Sequence, residues 1–124
     1  MRLVFKDLPL PVHALARPAH EAARCAGVGG KYWAYHDVLF QAQPNFQREK
    51  LIQYAADVGL EREAFTRCLE EARFAAAIDA DVAQARALQV SGTPTFFING
   101  HKLVGALPIE NFREVIDAAL SRAR

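Results

Sequence analysis

The sequence contains no Cys-x-x-Cys, no HExxH, no glycine-rich phosphate loop and no apolar run near the ~18 residues that a membrane span requires. Each absence closes a class of function. His13, His20, His36 and His101 show no metal-ligand spacing, so neither a metal nor a cofactor is expected. Two cysteines are too few for a disulfide-dense scaffold. Fifteen basic against 14 acidic residues leave a formal net charge of +1. That gives no electrostatic reason to expect nucleic acid or an anionic membrane as partner. Met1 to Lys6 hold too short an apolar run for a signal peptide. With Met1 as the native start the chain is expected in the cytoplasm; cut from an exported protein, it is expected outside it. No repeat, low-complexity tract or linker breaks the chain, which reads as one domain over residues 1–124.

What is present suits a globular fold. A chain of 124 residues, 52% of them hydrophobic, can bury roughly two-thirds of its unfolded surface. Leu3-Val4-Phe5 reads as a short strand covered on both faces, ended by Leu8-Pro9-Leu10-Pro11. A helical block follows over about residues 12–88. Pro18 sits at the start of its first helix, where the missing N–H is harmless. Lys31–Phe40 is a second helix, with Trp33, His36, Asp37 and Phe40 at three- and four-residue steps. Amphipathic segments at about 46–58, 63–71 and 74–88 complete the block. Pro94 then opens an apolar strand, Thr95–Ile98. Asn99-Gly100 is the strongest short hairpin signal, because both residues accept positive φ in a type I′ turn. His101–Val104 returns, and Pro108 starts a final helix with Ile109, Phe112, Val115, Ile116, Ala119 and Leu120 as its apolar positions.

Gly92-Thr93-Pro94-Thr95-Phe96-Phe97-Ile98-Asn99-Gly100 resembles the cis-proline loop and hairpin of the DsbA-like branch of the thioredoxin superfamily. Gly30-Lys31-Tyr32-Trp33, His36-Asp37 and Leu39-Phe40 resemble a second signature of that family, and Arg2–Leu10 a third. The resemblance covers nearly the whole chain in order. It implies an α/β, thioredoxin-like fold, shortened at the N-terminus, with an α-helical insertion between the first strand and the C-terminal hairpin and helix. It also implies a cis bond before Pro94, beside which Gly92, Thr93 and Pro94 hold an extended polypeptide substrate or redox partner by main-chain hydrogen bonds. The family's catalytic dithiol has no counterpart here, so no catalytic residue carries over.

That absence also removes a central strand. Three outcomes are open: the flanking strands pair directly, two copies pair or exchange elements, or another chain supplies the missing half. A homodimer through the uncovered sheet is the expectation. Cys25 and Cys68 fall on apolar faces of different helices. They read as small buried hydrophobes in a cytoplasmic protein and as a disulfide in an exported one; the family implies a second, non-catalytic disulfide at similar places. His36 and Asp37, adjacent on a helix, are expected to diverge and not to act as a catalytic pair. The function implied is thiol-disulfide exchange of the DsbA type, in a form without its own dithiol. The alternatives are a non-catalytic polypeptide-binding or assembly module on the same fold, or a superfamily enzyme that works without Cys-x-x-Cys.

Overall fold

The computed structural model describes residues 1–123. Its elements run α1 (Ala16–Val28), α2 (Tyr32–Ala42), α3 (Arg48–Asp57), α4 (Arg62–Glu70), α5 (Ala75–Ala87), β1 (Thr95–Ile98), β2 (His101–Val104) and α6 (Ile109–Arg122). They fall into two compact units, Met1–Gln84 and Ala85–Arg124, with the boundary inside α5.

The first unit is helical. Small residues on one face of α1 (Ala19, Ala22, Ala23, Cys25 and Ala26) are buried. Side chains this small let neighbouring helices approach closely. Larger residues fill the space against them: Tyr35 and Leu39 from α2, Leu51 from α3 and Phe65 from α4. The fully buried Tyr35 donates its hydroxyl proton to the Leu51 carbonyl at 2.8 Å, so its one polar atom is satisfied inside the core. Helix starts follow the sequence. Glu61 caps α4, its carboxylate accepting from the Glu63 and Ala64 N–H groups. Pro18 lies in the first turn of α1 and not at its first position; the first four N–H groups of a helix have no intrahelical partner, so the ring costs nothing there.

One expectation fails in this unit. Leu3-Val4-Phe5 forms no strand; residues 1–10 carry no regular element. An apolar run has strand propensity, but a strand exists only with a ladder partner, and none meets it among the described residues. On α2 the core face is Tyr35 and Leu39. The Trp33–Phe40 side is exposed, at 44% and 58%.

The second unit is the last turn of α5, a hairpin and α6. β1 and β2 pair antiparallel with Ile98 opposite His101 and Thr95 opposite Val104. Asn99 (φ 48°) and Gly100 (φ 86°) make the two-residue turn, both with positive φ as a type I′ turn requires. Phe112 of α6 meets Phe96 edge-on, ring centroids 4.8 Å apart. Pro108 is the N-cap of α6, one residue before the helix begins. Phe96, Phe97, Val104, Ile109 and Leu120 all remain at least a third exposed.

Candidate functional site

The loop singled out by sequence, Gly92-Thr93-Pro94, enters β1 from an exposed bend. The Thr93–Pro94 peptide is cis, as is Gln43–Pro44 in the first unit. Hydrogen bonds pin the loop on both sides of Thr93. The Gly92 carbonyl accepts the Thr95 hydroxyl at 2.7 Å. The Pro94 carbonyl accepts the Gly105 N–H at 2.8 Å. Thr93 is exposed, and its own N–H and C=O meet no partner among the described residues.

The register extends this observation along the strand. In an antiparallel pair closed by a two-residue turn, the residues flanking the turn exchange both bonds, and bonded and non-bonded pairs then alternate. Ile98 and Phe96 therefore turn their backbone groups toward β2. Thr95 and Phe97 turn theirs to the outer edge. The outer edge of β1 is thus a row of two donor–acceptor pairs with no protein partner among the described residues, preceded in the chain by the unpaired Thr93. Chemically, it is a template for an extended polypeptide.

Cys25 of α1 and Cys68 of α4 are joined as a disulfide, with Cα atoms 5.9 Å apart. Both are buried, at 5% and 2% exposure, and no free cysteine exists among the described residues. The bond closes the two sides of the helical core.

A cluster that sequence reasoning missed lies in the same unit. Asp7 is buried at 2% exposure, yet it belongs to a segment without regular structure. Its N–H donates to Asp81 Oδ2 of α5 at 2.9 Å. Arg24 of α1 bridges the two carboxylates, Nε to Asp7 at 2.7 Å and Nη2 to Asp81 at 2.8 Å. His20, one turn earlier on α1, donates from Nδ1 to the other Asp7 oxygen at 2.7 Å. Lys6 stands 3.8 Å from Asp81. Burial pushes the Asp7 carboxyl up, but the hydrogen bonds and charge of His20 and Arg24 outweigh it, so its pKa lies below the usual value. Burial and the nearby Asp7 charge together push the Tyr32 hydroxyl up to about 12. The only local trace of this cluster in the sequence is the His20/Arg24 pair at i and i+4; its other half lies 74 residues from Asp7.

Ahead of Asp7, Phe5 packs edge-on against His36 (centroids 5.0 Å) and Trp33 (6.5 Å). His36 also meets Phe40 at 4.7 Å. His36 and Asp37 do not diverge: Nδ1 lies 3.0 Å from the Asp37 carboxylate. The aromatic neighbours Phe5, Trp33 and Phe40 surround the imidazole on the helix surface. Asp37 is 71% exposed on its side chain, so the pair is a solvated contact. Phe5, Arg24, Gly27, Val28, Tyr32 and Phe74 line an open depression of about 340 Å³. The Arg24 groups described above are already committed to carboxylates.

The chain matches the family described as Thioredoxin over residues 1–118. It is 38% identical to the Na(+)/H(+) antiporter NhaA 3 of Salinispora tropica over all of its own length, which is 19% of that protein. It is 34% identical to the Na(+)/H(+) antiporter NhaA of Herminiimonas arsenicoxydans, across 96% of this chain and 19% of the relative. A Rickettsia prowazekii protein, provisionally named protein-disulfide oxidoreductase RP025, is 30% identical over 79% of this chain and 38% of its own length. The chain thus spans about a fifth of the antiporter relatives it matches. No solved structure matches. The Thr-Pro loop, the Asn-Gly hairpin with its following helix, and the family match along nearly the whole sequence lead to one conclusion: this chain belongs to the thioredoxin superfamily and has a DsbA-like fold.

Proposed function

We propose that this chain is the polypeptide-binding part of a thiol-disulfide oxidoreductase of the DsbA type. The observation that carries the reading is the bare main chain of Thr93. Its neighbours' carbonyls both accept hydrogen bonds, from Thr95 and from Gly105, while on the exposed Thr93 the N–H and C=O are unpaired among the described residues. One residue's donor and acceptor on an ordered edge are what an extended substrate needs to dock by backbone pairing, whatever its side chains. The cis bond before Pro94 belongs to the same loop. Exchange itself requires a thiolate that attacks a disulfide through a mixed-disulfide intermediate. Cys25 and Cys68 are buried and bonded to each other, so the attacking thiolate comes from outside this sequence.

The test is an amide titration. Uniformly ¹⁵N-labelled chain is mixed with a reduced, alkylated unfolded polypeptide. The Thr93 amide is expected to shift as the polypeptide is added. Shifts confined to other residues, or none at millimolar polypeptide, overturn the reading.

The names of the relatives favour a second reading. Two antiporters align with at least 96% of this chain, which makes up 19% of their length. On that reading the domain is a non-catalytic assembly module attached to a transport protein. It expects the domain and the remainder of such an antiporter to co-purify when expressed as separate pieces, with Thr93 unperturbed.

A further inference from the structure

Two apolar segments of this chain have bare backbone. The first is Leu3–Phe5, exposed at 70%, 54% and 38%, with no backbone hydrogen bond to any described residue. The second is β1, whose outer edge presents Thr95 and Phe97 and whose Phe96 and Phe97 rings are 38% and 44% exposed. β1 carries aromatic side chains on both faces, the pattern of a strand covered on both sides and not of a hairpin in water. A two-stranded hairpin is marginal alone.

We propose that two copies of this chain associate by strand exchange, with Leu3–Phe5 of each copy added to the outer edge of β1 in the other. The two features come in equal number on every chain, one donor strand and one acceptor edge. A second copy therefore satisfies both at once, whereas a foreign strand on β1 leaves Leu3–Phe5 bare. The arrangement is two-fold and closed: each copy gives one strand and receives one. The donor strand is rooted where it ends. The Asp7 N–H is tied to Asp81 and its carboxylate to Arg24 and His20, so one end of the donor segment is already fixed and the ordering cost of pairing is reduced. The area suffices. With aromatic side chains of about 150–250 Å² each, the exposed parts of Leu3, Val4, Phe5, Phe96 and Phe97 over two copies come to on the order of 1,000 Å², the threshold for a specific interface. This inference stands apart from substrate binding at Thr93: its readout is mass, and that of the binding reading is an amide shift.

Light scattering on the whole chain across micromolar concentrations is expected to give twice the 13.7 kDa chain mass. Val4→Pro removes a strand N–H from an exposed segment outside the core, so the fold persists, and dimer dissociation is expected to rise at least about tenfold. To place the contact, chains carrying Leu3→Cys, Val4→Cys or Phe5→Cys are each mixed with Phe97→Cys chains and mildly oxidised. At least one pairing is expected to give a covalent heterodimer in high yield. A monomer at every concentration overturns the proposal, whether the segments stay bare or pair within one chain. So does a dimer that is indifferent to Val4→Pro, or one that cross-links only between identical variants.

Discussion

Reducing the Cys25–Cys68 bond removes a large share of the stability of the helical unit, and the size of the loss follows from chain length. The cysteines are 43 residues apart. Opening a loop of that size in the unfolded chain releases about 13 cal/mol/K by the loop-closure relation, or about 4 kcal/mol at 25 °C. The folded side changes little: two thiols occupy nearly the same buried space and behave as small hydrophobes. Against a total of roughly 5–15 kcal/mol for a domain, this is the difference between a robust fold and a marginal one. The assay is urea unfolding followed by circular dichroism, with and without a phosphine reductant. With a slope of about 2 kcal/mol/M, the midpoint is expected to fall by about 2 M. The double variant Cys25→Ala with Cys68→Ala is expected to fall at least as far, because it adds a cavity. Because both sulfurs lie in the core, reduction is also expected to track unfolding, slow in buffer and fast near the midpoint. A midpoint shift below about 0.5 M after complete reduction refutes the reasoning: the unfolded chain would then already be restrained, and the bond would not be the staple.

Arg24→Met is expected to cost about 3–5 kcal/mol in the same assay, because it leaves two carboxylates facing each other without their shared cation; a loss under about 1 kcal/mol would show that Lys6 and His20 suffice. The lowered pKa of Asp7 sets a sign for acid. A depressed carboxylate contributes stability that is fully present above its ordinary value of 3.8 and is lost as pH falls through the lower folded value. Thermal melts from neutral pH down to about pH 2 are expected to fall more steeply as pH drops from 3.8 in the wild-type chain than in Asp7→Asn, and parallel profiles would remove Asp7 from the account.

The parts of the fold legible in the sequence are those fixed by neighbours along the chain. Asn99-Gly100 specifies its turn by φ alone, and the structure places β1 and β2 over the residues expected. Helices α3 to α6 lie within two residues of where apolar spacing and capping put them. What failed depends on distant chain. Leu3–Phe5 has the composition of a strand, but no local pattern reveals whether a ladder partner is present. Asp7 sits after an apolar run and before a proline turn, a position that reads as solvent; only Arg24 and Asp81, brought in by two helices, make its burial tolerable. On α2 the exposed Trp33 and Phe40 share a helical stripe with His36, while the buried pair is Tyr35 and Leu39. Sequence spacing picked out the first stripe, whereas the helices packed against α2 decide which side is buried. At the site, the loop 92–94 was legible from its motif. The unpaired state of Thr93 was not, because it depends on the Gly105 and Thr95 bonds that occupy its neighbours.

The two borders of the hairpin differ in how they are guarded. β2 carries His101 and Lys102, and the Lys102 ammonium donates to the Gln89 carbonyl at 3.0 Å, tying that border to the preceding loop. Thr95-Phe96-Phe97-Ile98 on the other border has no charge and no internal proline. Fibrillar growth needs stickiness on both sides of each unit, since every added strand must receive the next. A hairpin with one protected border adds a single layer and then stops. Removing the protection, as in Lys102→Thr, is expected to open that border to a further strand, read in light scattering as mass growing beyond that of the proposed pair.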